Sequence, residues 1–122
     1  MVNGKDKGNF FELKMLRRIR AELDPDAYSP RGSGNSKDDK GDICTREYCF
    51  EMKHHRVIRP LMISRWWDKL VAEADQMSKV PVLVYKENFR PEMVCVEDCG
   101  VKVFYYLDDW LKITGAERTK HD

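Results

Sequence analysis

The stretch from Gly41 to Lys53 restricts the possible folds of this chain more than any other. Aromatic and branched side chains on either side of Thr45-Arg46-Glu47 suit two strands, and those three residues suit a short turn, so the stretch predicts a β-hairpin. We expect a two-residue turn at Arg46 and Glu47. The opposed pairs in this register are Thr45 with Tyr48, Cys44 with Cys49, Ile43 with Phe50 and Asp42 with Glu51.

Alternation along the strands assigns this hairpin one polar and one apolar face. Asp42, Glu51 and Lys53 converge on the polar face. Two adjacent carboxylates repel each other unless a cation lies between them or one of them takes up a proton. Hard cations such as Mg²⁺ prefer oxygen ligands of this kind. The hairpin therefore predicts a small cation site, backed by a core-facing set of Ile43, Phe50 and Met52.

Length and composition indicate one ordinary globular domain. The chain has 122 residues, of which 42% are hydrophobic and 35% charged, which is enough for one core. We expect residues 1–122 to form a single domain, with flexible segments at 1–8 and 114–122 and a mobile loop at 30–41. No apolar run approaches the ~20 residues of a membrane span, and no signal peptide is apparent, so we expect a cytoplasmic protein.

The formal net charge of +1 excludes a protein coated in basic residues, but it allows a local basic patch. Residues 52–67 follow the hairpin directly and contain no acidic residue. Their basic side chains are Lys53, His54, His55, Arg56, Arg59 and Arg65. Positive charge beside a carboxylate site favours a polyanionic partner, while the alternative is an ordinary solvated loop.

Four cysteines allow two other interpretations. The spacings of Cys44 with Cys49 and of Cys95 with Cys99 are within the range of zinc sites, but the first pair lies in the predicted strands. Disulfides are disfavoured in a cytosolic compartment. We expect reduced thiols that are mostly buried.

The segments before the hairpin contain one helix and one loop of interest. The helix is predicted from Asn9 to about Leu23, and its apolar stripe includes Glu12. A carboxylate there either interacts with the helix dipole or points toward the hairpin. A short strand is predicted at residues 27–29. The polar loop that follows contains Gly32-Ser33-Gly34, which is either a flexible linker or a functional segment.

The segments after the hairpin complete an α/β pattern. A helix is predicted from about Ile63 to Ser78 with Ser64 as its cap, and Trp66 lies off its apolar stripe, either packed or against DNA. A buried strand at residues 80–85 then forms a β-α-β crossover with the hairpin. Strands are predicted at 92–96 and 101–106, and a short closing helix at 107–112. The result is an α/β fold with a mixed central sheet and helices on both faces.

The arrangement of Gly41-Asp42 followed by Glu51-x-Lys53 resembles the PD-(D/E)xK nuclease superfamily, with Gly41 replacing the proline of the namesake motif. The segment from Gly8 to Glu12 resembles the G-x-x-x-E opening of archaeal and viral Holliday junction resolvase-like endonucleases, and Gly32-Ser33-Gly34 resembles their Gly-Ser-Gly loop. The resemblance covers about residues 8–96. It implies a restriction-endonuclease-like fold with an αβββαβ core.

The same resemblance implies a metal-dependent endodeoxyribonuclease, acting on branched DNA in recombination, with Mg²⁺ or alternatively Mn²⁺. The implied metal ligands are Asp42, Glu51, Glu12 and the carbonyl of Met52. Lys53 would orient the attacking water or steady the phosphate, and Ser33 would approach the scissile phosphate. The residues expected to contact DNA are Arg31, Ser33, Lys37, Lys40, His54, Arg56, Arg59 and Gln76.

Resolvases of this kind act as symmetric dimers, so the resemblance also implies a homodimer. One alternative within the class is a small viral or mobile-element nuclease with broad DNA activity. A second is a DNA-binding module of the same fold that is inactive or directed by a partner. A third is a structural zinc protein built on the four cysteines.

Overall fold

The computed structural model describes the backbone of residues 4–30 and 41–121, and the side chains of residues 8–30 and 41–117. Three helices and five strands are formed within these ranges. They are α1 (Gly4–Glu22), β1 (Ile43–Cys44), β2 (Tyr48–His55), α2 (Pro60–Met77), β3 (Val80–Glu87), β4 (Met93–Asp98), β5 (Val101–Tyr106) and α3 (Leu107–His121).

The strands form one mixed sheet in the order β1-β2-β3-β4-β5. Strands β2 and β3 are parallel and are joined through α2, as the β-α-β pattern predicts, and the other neighbours are antiparallel. The predicted strand at residues 27–29 is reduced to a single bridge between Tyr28 and Cys44. The mixed α/β architecture is confirmed.

Helices cover both faces of the sheet and produce two hydrophobic clusters. Helices α1 and α3 pack on one face, where Phe50 lies at the centre among Met15, Ile19, Val82, Val84 and Trp110. Helix α2 packs on the other face through Trp67, Leu70 and Ala74, which meet Cys44, Cys49, Leu83 and Cys95. The sheet thus separates two cores, and strands β1 to β4 contribute alternate residues to each of them.

Several element boundaries differ from the sequence-based expectations. Helix α1 begins at Gly4, before the predicted cap Asn9. Helix α2 begins at Pro60 rather than Ile63, because proline at the first helical position lacks only an N–H that would have no partner within the helix. Helix α3 continues to His121 instead of ending near residue 112, and Thr114 within it is buried.

The cysteines are all free thiols. Cys44, Cys49 and Cys95 are buried under α2, and Cys99 is exposed in the turn between β4 and β5. A hydrogen bond with Cys44, together with burial, raises the pKa of Cys49, and burial raises the pKa of Cys95 to about 11. These two thiols are therefore protonated at neutral pH. No helix in the described part of the chain is long and apolar enough to cross a membrane.

Candidate active site

The hairpin has the register that its sequence predicts. Ile43 pairs with Phe50 and Cys44 pairs with Cys49. The turn is held by Thr45, whose backbone N–H donates to the Tyr48 carbonyl at 2.9 Å. The Thr45 hydroxyl accepts the backbone N–H groups of Glu47 and Tyr48 at 3.2 and 2.9 Å. Because this turn determines the pairing of every later residue, it also determines which side chains share the polar face.

Asp42 extends the short strand β1 beyond its last regular pair. Its backbone N–H donates to the Phe50 carbonyl at 2.9 Å, and its carboxylate Oδ2 accepts the Met52 N–H at 2.8 Å. The carboxylate thereby accepts a hydrogen bond that a backbone carbonyl would accept in a regular sheet. Strand β2 therefore fixes its orientation. The side chain of Asp42 is buried within this arrangement. The carboxylate position is therefore determined by backbone pairing.

Gly41 is required at the position before Asp42. Its φ of +91° lies in the region that favours glycine, and a proline cannot adopt it. A Cβ at this position would lie 2.7 Å from the Cys49 sulfur and 3.1 Å from the Phe50 carbonyl oxygen. The departure from the Pro-Asp of the superfamily motif therefore has a local steric cause in this chain.

Glu51 and Lys53 form the second half of the site on β2. The Lys53 ammonium lies 3.5 Å from Glu51 Oε1, with 28% of the lysine side chain and 13% of the glutamate side chain exposed. The ammonium also lies 5.5 Å from the centre of the Trp66 ring on α2. Glu51 directly follows Phe50, which pairs with Ile43, so its side chain shares the face that carries Asp42.

The electrostatics of Glu51 reflect a crowded negative site. Its pKa is raised from 4.5 to about 7, chiefly because the carboxyl is buried and next because Asp42 is negatively charged. The positive charge of Lys53 opposes this rise, and the negative charge of Glu73 adds to it. A divalent cation between Asp42 and Glu51 would remove the repulsion that raises this pKa.

Glu73 is a carboxylate that acts electrostatically on the candidate site and that the sequence-based interpretation did not include. It lies on α2, its carboxylate is 3.9 Å from the Lys69 ammonium, and it acts on Glu51 through its charge. A signal was present, because Glu73 lies three residues after Leu70 and four residues before Met77, two apolar residues of the predicted stripe. A carboxylate on a mostly apolar stripe was the same observation that singled out Glu12.

Glu12 is brought to the edge of the sheet at β1. The bridge between Tyr28 and Cys44 is antiparallel, so Ser29 runs alongside Ile43. The Ser29 hydroxyl donates to Glu12 Oε1 at 3.2 Å. The helix that carries Glu12 is thereby linked to the segment next to Asp42. A metal-ligand role for Glu12 stays a prediction.

The predicted DNA-contacting residues fall into three groups. Arg31, Ser33, Lys37 and Lys40 lie outside the described residues. Arg56, Arg59 and Gln76 are exposed on the loop after β2 and on α2. His54 instead lies near α1, with its ring 5.3 Å from that of Phe11 and its Nε2 atom 3.2 Å from Asn88 Oδ1.

The donor set suits a divalent cation. Across the described residues, no three His, Cys, Asp or Glu side chains are arranged to hold a metal ion. Mg²⁺ does not need three, since it retains several waters and commonly takes one or two protein carboxylates. Asp42 and Glu51 would provide two carboxylate ligands, and the Asp42 carboxylate is oriented by the Met52 N–H. The carbonyl of Met52 stays a predicted ligand.

Comparison with known proteins agrees with this geometry. The fold is similar to that of Hjc, a Holliday junction resolvase from the archaeal hyperthermophile Archaeoglobus fulgidus, with a TM-score of 0.50. The match has 16% sequence identity and covers 89% of this chain and 98% of Hjc, so it shows a shared fold. None of the proteins with curated functions matches the sequence. The model of one sequence family matches residues 3–114, and the chain therefore belongs to the phage putative PDDEXK endonucleases.

Proposed function

We propose that this nuclease is a metal-dependent endodeoxyribonuclease that hydrolyses phosphodiester bonds of branched DNA. The observation that carries the proposal is the arrangement of Asp42, Glu51 and Lys53 on one face of the hairpin. Two carboxylates and one ammonium at the rim of a sheet are the groups that metal-assisted phosphodiester hydrolysis requires. The membership in a family of endonucleases supports the class of reaction.

Each residue has a distinct role in this proposal. Asp42 and Glu51 hold Mg²⁺ or Mn²⁺, with Glu12 and the Met52 carbonyl as further ligands. When bound, the cation supplies an activated water and neutralises charge on the phosphate. Lys53 orients the attacking water or steadies the phosphate from its position beside Glu51.

The branched substrate is supported by the similarity of the fold to a Holliday junction resolvase. Such a substrate is recognised through the shape and backbone of the DNA. The exposed Arg56 and Arg59 beside the site suit contacts with phosphates. Arg31, Ser33, Lys37 and Lys40, in the segment before the hairpin, are proposed as further DNA contacts. Paired nicks across a junction would further require a homodimer.

The test is a cleavage assay with Mg²⁺ on a four-way junction, a matched linear duplex and a single strand. We expect symmetric nicks in the junction, formed at least about 10²-fold more slowly in Glu51→Ala and Lys53→Ala. Glu47→Ala is the matched control, because Glu47 is an exposed carboxylate in the turn of the same hairpin. Sedimentation of the protein with and without junction DNA measures its oligomeric state.

The outcomes separate the alternatives. Equal cutting of all three substrates would retain the nuclease and contradict the junction preference, as a broad phage nuclease predicts. Binding without cutting by a folded protein at any divalent cation would contradict the proposed reaction, and would indicate a DNA-binding module of the same fold.

A further inference from the structure

Trp66 contacts two side chains of β2 on the face that carries the candidate site. The Lys53 ammonium lies 5.5 Å from the centre of its ring, and the His55 ring lies 5.1 Å from it at an angle of 30°. Lys53 and His55 are two residues apart, so they share the face of the strand that Glu51 also occupies. One indole ring thus covers the end of this row of side chains.

The Trp66 ring is held by its surroundings. Its neighbour Trp67 is buried with Leu70 in the core beneath α2, and Trp66 itself packs at the edge of that core. The start of the helix is fixed from β3, because the Ile58 backbone N–H donates to the Glu87 carboxylate at 2.7 Å. Since both the helix and its first turns are anchored, the ring is a fixed surface for the flexible lysine.

The lysine needs such a surface because one ion pair does not define its position. A lysine side chain is a long flexible stem that ends in a point charge, and Glu51 alone would draw the ammonium toward the carboxylate that has to bind a cation. The face of an indole attracts an ammonium, and Trp is the strongest aromatic partner. In this structure the ammonium interacts with both the Trp66 ring, at 5.5 Å from its centre, and Glu51 Oε1, at 3.5 Å.

We propose that Trp66 is a positioning residue for Lys53, an inference that rests on the proposed function. It holds the ammonium beside Glu51, where Lys53 acts on the water or the phosphate. The strength of cation–π contacts predicts that loss of the ring lowers the cleavage rate by about 2- to 30-fold. Because the ring does not contact the DNA in this role, the KM for DNA is expected to stay unchanged.

The first measurement needs neither metal nor DNA. Protons of the Lys53 side chain beneath an indole face resonate upfield in the NMR spectrum, and Lys53→Arg identifies the signal. We expect this shift in the wild type, a smaller one in Trp66→Phe, and none in Trp66→Leu, which retains an apolar side chain without a ring. Matching thermal melts and circular dichroism spectra verify that the variants fold.

The second measurement is single-turnover cleavage with Mg²⁺. We expect Trp66→Leu to lower the cleavage rate and Trp66→Phe to retain most of the wild-type rate. Asp68→Ala, on the exposed side of the same helix, is the control and should match the wild type. In the Lys53→Ala background the Trp66→Leu change should have no further effect, because the two residues act as one unit.

Either of two results would overturn the inference. One is a wild-type rate and an unaltered lysine signal in Trp66→Leu. The other is an equal loss of rate on removing Trp66 with and without Lys53, which would indicate a direct role in DNA binding or packing. A wild-type protein that does not cut would contradict the proposed function alone, and the NMR shift would still decide whether Trp66 holds Lys53.

Discussion

The two faces of the β1–β2 hairpin differ in what their side chains do. Toward α1 and α3, Ile43, Phe50 and Met52 join a continuous apolar core. Toward α2, Glu51 and Lys53 alternate with these residues and meet Asp42. The same short hairpin therefore contributes to the core and carries most of the candidate site. A slip of one residue in register would exchange the two faces, so stability of the core also enforces the geometry of the site.

The energetics of the two faces differ as well. On the apolar face every contact favours the folded state. On the polar face, burial and like charge raise the pKa of Glu51, which means that the ionised site opposes folding when no cation is bound. Substitutions on the apolar face should therefore reduce stability, and substitutions on the polar face should reduce activity while sparing stability.

The largest effect is expected from Phe50→Ala. This side chain is fully buried between β1, β2 and the helices α1 and α3, so its removal leaves a cavity. We expect a loss of about 3 to 5 kcal/mol in the free energy of unfolding, measured by urea denaturation. Phe89→Ala is the control, because Phe89 is fully exposed, and it should change stability by less than about 0.5 kcal/mol. Similar losses in both variants would contradict the assignment of Phe50 to the core.

Glu51→Ala, one residue along the strand, should have the opposite effect: it should reduce the cleavage rate and not reduce stability. Removing this proposed cation ligand is expected to slow cleavage by about 10²- to 10³-fold, the scale of losing one electrostatic stabiliser of the transition state. The free energy of unfolding at pH 8 should not fall, because the variant loses the repulsion from Asp42. Cleavage rates and urea denaturation of the same preparation measure both quantities. If the variant is stable and cuts at the wild-type rate, Glu51 has no role in cleavage.

The pH dependence of stability sharpens the comparison further. The folded pKa of Glu51 is about 7 and its ordinary value is 4.5, so the folded state holds this proton more tightly. The resulting stabilisation is fully present below about pH 4.5 and is lost as the pH rises through 7. Glu51→Gln does not ionise, so its stability should not fall in this pH range. In EDTA its free energy of unfolding should equal that of the wild type at low pH and exceed it by roughly 1 to 3 kcal/mol at pH 8.

Mg²⁺ provides the matching control for that experiment. At pH 8 the cation should stabilise the wild type more than Glu51→Gln, because the variant retains only the Asp42 carboxylate of the proposed pair. If the stability of both proteins changed with pH in the same way, ionisation of Glu51 would not be the cause of the loss of stability at high pH.

The smallest effect is expected at the turn that sets the register. The Thr45 hydroxyl is buried and accepts two backbone N–H groups. Thr45→Val keeps the shape and removes these hydrogen bonds, with an expected cost of about 1 to 2 kcal/mol in the free energy of unfolding. Thr45→Ser retains the hydroxyl and should recover part of the loss. A cost in Thr45→Ser as large as in Thr45→Val would assign the effect to packing of the methyl group.

Local patterns predicted much of this structure. The hairpin register followed from the turn residues and the alternation of side chains, and β5 was predicted with its observed bounds. The parallel pairing of β2 with β3 followed from a helix between two strands. These features depend on residues close in sequence, or on connections that allow few arrangements.

Other features were decided where distant segments meet. The sequence around Gly41 does not show that a Cβ there would contact the Cys49 sulfur. The two residues come close only when the hairpin has formed. The extension of α3 depends on packing that buries Thr114. The charge of Glu73 acts on Glu51 because the crossover places α2 over β2.

By itself, the sequence determined which side chains alternate on the hairpin, and hence that two carboxylates and a lysine share a face. This follows because strand periodicity is local and the turn fixes the pairing. Only the tertiary structure decided what covers that face. It placed the ring of Trp66 over Lys53 and the carboxylate of Glu73 near Glu51, because the position of a helix on a sheet depends on packing across the whole domain.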